Sequence, residues 1–173
     1  MNETLKVLKE RRSIRKYKPQ QITDAELNAI LEAGTYAASG MNRQSAVMAV
    51  IQDKELIDRL DVINAEIKGL PGVTQFYGAP TVIAVLADAS TPTWLQDGVL
   101  VMGNLMNAAA SLGIGSCWIH RCEPTFLRED CKYLLDAWGL NENYRGVAFC
   151  ILGYPEGDIP ETRPRKENYI RRA

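Results

Sequence analysis

Hydrophobic residues recur at two spacings along this chain, and each change of spacing marks an element. Four short runs, Ala46–Ile51, Thr81–Ala87, Ser116–Ile119 and Val147–Leu152, are mostly apolar and bounded by polar or Gly-containing segments, the pattern of buried strands. Between them the spacing is helical. A first helix is expected over residues 3–12, with Leu5 and Leu8 on one side. Thr23 and Glu26 form a capping box, and Ile22 and Leu27 the flanking hydrophobic staple. The second helix therefore starts at Thr23 and is expected to run to Ala33, with Gly34 near its end. Asp53 can cap a third, in which Leu56, Leu60, Ile63 and Ile67 recur on one face. The longest element, Thr93–Leu112, is apolar on most of its circumference, so it is buried in the fold or against a second subunit; Gly113 is its expected stop. One helical segment is expected from Pro124 to Trp138, with Pro124 in its first turn. Helices mixed with four strands imply an α+β architecture, a mixed sheet covered by helices. Beyond Gly153-Tyr154-Pro155 there is little to bury, and the tail is expected to be disordered unless it docks.

Composition narrows the class. With 173 residues and 46% hydrophobic content, the chain is read as one domain, residues 1–173, burying about 70% of its unfolded surface. Cys117, Cys122, Cys131 and Cys150 lack paired metal-ligand spacing, and the lone His120 cannot complete a zinc finger, so no metal site is expected. Reduced thiols, three of them in or near the core, point to a cytoplasmic protein. The N-terminus has no apolar leader and no run reaches 18 apolar residues, so neither secretion nor a membrane partner is expected.

Charge supplies the strongest chemical signal. Residues 1–18 carry seven Lys or Arg against two acids, residues 163–173 carry five against one, and the intervening chain sums to −10. Five of these cations fall within Arg11–Lys18. If folding brings the ends together they make an anion site, in which Ser13 adds a hydroxyl and the arginines offer planar forks suited to phosphate oxygens. Other anion motifs are missing: Gly113-Ile114-Gly115 follows a helix and has Trp118 where a dinucleotide fingerprint needs glycine, and no phosphate loop occurs. A catalytic triad would have to be built on His120. The acidic middle opposes a broad nucleic-acid footprint, so one small phosphorylated ligand is favoured.

Five segments together carry a resemblance. Arg11-Arg12-Ser13-Ile14-Arg15-Lys16-Tyr17, Ala38–Gln44, Tyr77-Gly78-Ala79-Pro80, Leu112–Trp118 and Leu152-Gly153-Tyr154-Pro155 resemble, in order and over nearly the whole chain, the nitroreductase family of FMN-dependent oxidoreductases. The resemblance implies a three-layer α-β-α sandwich around a mixed, mostly antiparallel sheet. It also implies an intertwined homodimer with FMN at the interface, residues 154–173 forming an arm that crosses to the partner.

By position, the resemblance assigns Arg11, Ser13, Arg165 and Arg163 or Lys166 to the FMN phosphate, with Arg12 contributing backbone and stem contacts. Arg15 would reach the N1 and C2 carbonyl edge, where reduction places negative charge. Ser39, Gly40, Asn42 and Gln44 would meet the isoalloxazine ring, partly from the other subunit. Trp118, Ile119, His120 and Arg121 would lie along the flavin through their main chain, and Asn64 is a further candidate ring contact. No side chain is assigned as an acid or base.

The implied reaction is ping-pong: NADH or NADPH reduces FMN, and a nitroaromatic, quinone or enone then takes the electrons. Tyr36, Met41, Phe76, Tyr77 and Trp94 are candidates to line the acceptor pocket. The chain departs from the family pattern at Ala38, Ser45, His120 and Arg121, and it is short, so acceptor choice is open. A specialised flavin-dependent reductase or dehalogenase of the same family, and a flavin-binding redox sensor with little turnover, are the alternatives.

Overall fold

Thr81–Asp88 is buried along seven of its eight residues, which requires cover on both faces of the sheet it belongs to. The computed structural model describes residues 1–173 and shows that cover. In chain order the strands are β1 (Ala46–Ile51), β2 (Thr81–Asp88), β3 (Gly115–Ile119) and β4 (Tyr144–Gly153). The helices are α1 (Glu3–Glu10), α2 (Asp24–Thr35), α3 (Lys54–Lys68), α4 (Trp94–Ser111), α5 (Cys122–Phe126) and α6 (Glu129–Ala137). The sheet order is β1-β2-β4-β3, every neighbouring pair antiparallel. Its parallel component is an isolated bridge between Ser13 and Ser116.

Alternation along the strands separates two cores. Val82, Ala84 and Leu86 of β2, with Phe149 and Ile151 of β4, meet Ile57, Leu60 and Ile63 of α3 and Phe126 and Leu134 of α5 and α6. Ile83 and Val85, with Ala148, Cys150 and Leu152, face Leu27 and Ile30 of α2 and Met102, Leu105 and Ala109 of α4. The result is the three-layer sandwich. A bulge at Val85/Leu86 passes over Val147, so both strands keep their apolar residues inward on either side of it.

Local signals were reliable where the partners are close in sequence. The capping box is formed in full, with Glu26 N on Thr23 Oγ1 and Glu26 Oε2 on the Thr23 amide. Asp53 caps α3 through Leu56 N at 2.8 Å. Gly113, with φ +73°, is the left-handed residue that ends α4.

Four expectations need correction. The first helix stops at Glu10, because Arg11 turns extended to join the sheet edge. The second helix runs past Ala33 to Thr35, with Gly34 near its end as expected; a Cβ there would sit 2.6 Å from Met48 Sδ, so the glycine serves close helix–sheet packing. The Pro124–Trp138 segment is two helices, since Arg128 adopts an extended conformation and starts α6. All four cysteines are buried, not three.

α4 is buried on one face only. Leu95, Val99 and Leu100 are 45, 42 and 48% exposed, and Leu5 and Leu8 of α1 are exposed as well. No helix is long and apolar enough to cross a membrane.

Candidate anion and cofactor site

β3 is the outer strand of the sheet, and the basic segment after α1 lies on its free edge. Ile14 N donates to Ser116 O at 2.9 Å beside the Ser13–Ser116 bridge, and Tyr17 Oη donates to Ile14 O at 2.7 Å from a buried ring. Burial drives the Tyr17 hydroxyl far above its ordinary pKa, so it remains a donor. The strap then pairs with the root of the C-terminal arm: Lys18 N donates to Tyr154 O at 2.9 Å and Glu156 N to Lys16 O at 3.0 Å. Folding therefore brings together the roots of the two basic segments.

The cations of this strap are under-partnered. Arg11 Nη1 and Arg12 Nε are buried and without a hydrogen-bond partner, as is Ser116 Oγ. Arg12 Nη1 is spent on the carbonyls of Lys9 and Arg11, at 2.9 and 2.7 Å. Neither Arg11, Arg12 nor Arg15 enters an ion pair, whereas the nearby Lys16 pairs with Glu156 at 3.2 Å. Arg11, Arg12, Gly113, Gly115 and Pro155 line a cleft of about 220 Å³ at this edge. Buried donors on cations are costly when unmet, and an anion with several acceptor oxygens would meet them. The donor set fits a phosphate group.

At the far end of β3 the main chain is held in place. Asn64 of α3 is fully buried; its Nδ2 donates to His120 O at 2.9 Å and its Oδ1 accepts from Arg121 Nε at 3.0 Å. Arg121 is left-handed, φ +73°, and precedes α5. Its Nη2 and Lys68 Nζ both approach Oε1 of the buried Gln75, at 3.4 and 2.7 Å. Ile119 is buried, Trp118 half-buried, and His120 exposed. Arg15 stands over the ring of Tyr77 at 6.0 Å.

The segment at Ser39–Gln44 forms a separate group. It follows α2 as a 3-10 turn over Gly40–Asn42, with Met41, Asn42 and Gln44 left-handed at φ +53°, +53° and +50°. Ser39 Oγ accepts from Gln44 N at 3.0 Å, and Gln44 Nε2 donates to Asn42 Oδ1 at 3.1 Å. No hydrogen bond joins this group to the Arg11–Arg15 strap or to Trp118–Arg121 within one chain. Arg163, Arg165 and Lys166 stand in the exposed arm, where Lys166 lies over Tyr169 and none of the three bonds to the strap. Of the residues considered for an acceptor pocket, Phe76 is core, edge-on to Phe149 at 5.2 Å, while Tyr36 and Met41 are 79 and 87% exposed.

Three structural contributors escaped the sequence reading: Ser116, Gln75 and Asp97. Each is a polar residue whose burial is set by the tertiary packing around it; only Ser116, next to the apolar Cys117–Ile119 run, stood out in the sequence.

This arrangement has relatives. The family model described as the nitroreductase family matches residues 8–154. The chain belongs to the nitroreductase family. Within it, the chain is 32% identical over 91% of its length to a provisional NADH dehydrogenase/NAD(P)H nitroreductase of Archaeoglobus fulgidus, 88% of which is covered. A nitroreductase of Bacteroides fragilis solved with bound FMN is 31% identical, superposes with a TM-score of 0.89 and is matched over 100% of each chain. One from Desulfitobacterium hafniense, also with bound FMN, is 30% identical with a TM-score of 0.88 over 100% of each chain. The nitroreductase fold explains the two-sided cover of the sheet seen here.

Proposed function

We propose that this chain is an FMN-dependent oxidoreductase that takes electrons from NAD(P)H and passes them to a small acceptor, working as a homodimer whose sites draw on both subunits. The observation that carries the reading is the set of buried, unpartnered donors on Arg11 and Arg12 beside the edge of β3. FMN-bound relatives that superpose over the whole chain support it.

Arg11 and Ser13 would hold the phosphate with Arg165 and with Arg163 or Lys166 of the arm, and Arg12 braces the strap through its carbonyl contacts. Three cations and a hydroxyl match a phosphomonoester carrying nearly two charges. Arg15 would sit at the N1 and C2 carbonyl edge. Ser39, Gly40, Asn42 and Gln44 of the partner subunit's copy would meet the ring, which accounts for their separation from the strap within one chain. Asn64 orients the His120–Arg121 main chain toward the ring. FMN supplies the centre that accepts and returns a hydride, so no acid–base side chain is required.

The exposed apolar face of α4, with Leu95, Val99 and Leu100, is the dimer contact, and residues 154–173 cross to the partner. Donor and acceptor use one face of the ring in turn, a ping-pong order, with nitroaromatics, quinones and enones as acceptors. Four buried free thiols accord with a cytoplasmic setting.

Purified protein should be yellow and release about one FMN per chain on denaturation, with NAD(P)H oxidation dependent on an added nitroaromatic or quinone. Arg11→Ala with Arg165→Ala should strip the flavin and leave the fold. A colourless protein that fails to bind added FMN would overturn the proposal.

A further inference from the structure

Asp97 lies in the first turn of α4 and is 3% exposed. It is an acid on a helix otherwise built from apolar residues, small residues and amides. Neither of its oxygens is free. Oδ1 accepts from Gly40 N at 3.0 Å; Oδ2 accepts from Ser45 Oγ at 2.7 Å and from Thr93 Oγ1 at 3.2 Å. Gly40 and Ser45 bracket the Met41–Gln44 segment, so one carboxylate grips both of its ends. The approach is close: a Cβ on Gly40 would lie 2.4 Å from Thr93 Oγ1.

Three left-handed non-glycine residues inside five positions are unfavourable for a free loop, and such backbones persist only where surroundings over-determine them. The loop's internal bonds, Gln44 N to Ser39 Oγ and Gln44 Nε2 to Asn42 Oδ1, close it on itself but do not attach it to the body of the protein. The Asp88 amide donates to Ser45 O at 3.0 Å at one end, and Asp97 is the side chain that attaches both ends. Burial pushes its carboxyl up, yet the Gly40 amide and the Ser45 and Thr93 hydroxyls together outweigh that, and the net displacement is downward. The N-terminus of α4 favours the charged form as well.

We propose that Asp97 is a positioning residue for the ring-binding segment: its carboxylate clamps Gly40 and Ser45 to the start of α4 and so presents Asn42 and Gln44 in a fixed geometry. The assignment rests on the reading of Ser39–Gln44 as a flavin contact. Because Leu95, Val99 and Leu100 lie on the same helix, the clamp also registers this segment to the proposed dimer face. An asparagine in its place keeps the shape but exchanges one acceptor for a donor, so it cannot receive both Gly40 N and the Ser45 hydroxyl on separate oxygens.

The test uses Asp97→Asn, with Leu105→Ala, which creates a cavity in the same helix, as the control for general destabilisation. Trypsin cleavage after the exposed Arg43, mapped by mass, reports release of the loop whether or not FMN binds. Cleavage at Arg43 should be at least about tenfold faster in Asp97→Asn than in the parent and near parental in Leu105→Ala when compared at equal distance below Tm. FMN affinity should fall by about tenfold and the visible flavin spectrum should shift in Asp97→Asn, but neither in the control. Should Asp97→Asn fail to fold, Ser45→Ala removes one arm of the clamp and should give the same changes to a smaller degree. Parental Arg43 protection in these variants would overturn the clamp. Faster cleavage with unchanged FMN affinity and spectrum would overturn its role toward the ring, while a parent that binds no FMN would instead refute the proposed function and leave the clamp to the cleavage result.

Discussion

Tyr154 Oη donates a 2.7 Å hydrogen bond to Glu26 Oε2, an oxygen that also accepts from the amide and hydroxyl of Thr23 at 2.8 and 2.6 Å. The capping box of α2 thus anchors the root of the C-terminal arm, 128 residues away. The Thr23 hydroxyl, then Tyr154, then the Thr23 amide hold the Glu26 carboxyl below its ordinary range, against desolvation. Hydrogen bonding to Glu26 is the main cause that raises Tyr154.

Tyr154→Phe should lower Tm at neutral pH and loosen the arm toward proteases. Glu26 is depressed in the folded state, so its contribution is complete above its unfolded value, about 4.3, and is lost as pH falls through the folded value. The difference in Tm between parent and variant should therefore narrow from pH 7 toward pH 3. Tyr154 is raised, so at the alkaline end the contribution persists to about pH 10 and disappears as pH climbs past the raised value. A gap that does not vary with pH would exclude this coupling.

Gly146→Ala should cost about 1–3 kcal/mol in urea denaturation, the range for an overpacked site. Its Cβ would meet backbone atoms of Cys122 and Glu123 at 2.5–2.7 Å, and backbone cannot rotate away as a side chain can. Since relief requires moving the start of α5, and with it Arg121, weaker FMN binding should accompany the loss.

Gly103 tests the proposed dimer. A Cβ there meets nothing within 4 Å in the single chain, so Gly103→Ala should raise intrinsic helix stability by about 1 kcal/mol. Gly103→Arg, placing bulk and charge on the same stretch of α4, should shift sedimentation from dimer to monomer and reduce flavin retention. An arginine variant that remains a dimer with full FMN would place the interface elsewhere.

The thiols should be silent. Burial pushes the Cys150 thiol up to about 12, with Cys117 adding to the effect and Arg11 opposing it, and burial raises Cys122 and Cys131 too. A thiol reagent at pH 8 should find no fast-reacting group in the native protein and four after denaturation. One fast thiol in the native state would contradict the buried placement.

The amino-acid sequence alone declares the strands, the capping box at Thr23–Glu26, the Asp53 cap, the Gly113 stop and the basic clusters at both ends. Each is a pattern among residues a few positions apart, governed by backbone sterics, capping and side-chain period. It also located candidate site segments through resemblance. The break at Arg128 and the burial of Gly34 against Met48 were not legible, because each depends on what the chain meets across the sheet. The same holds for the separation of the β3 edge from the Ser39–Gln44 loop within one chain, and for the hydrogen bond that joins Asp97 to Gly40 across 57 positions. A hydrogen bond of that separation is decided by the path of the whole chain: the sequence by itself determined which groups could bind an anion, and only the tertiary structure decided which of them were left buried, oriented and unpartnered.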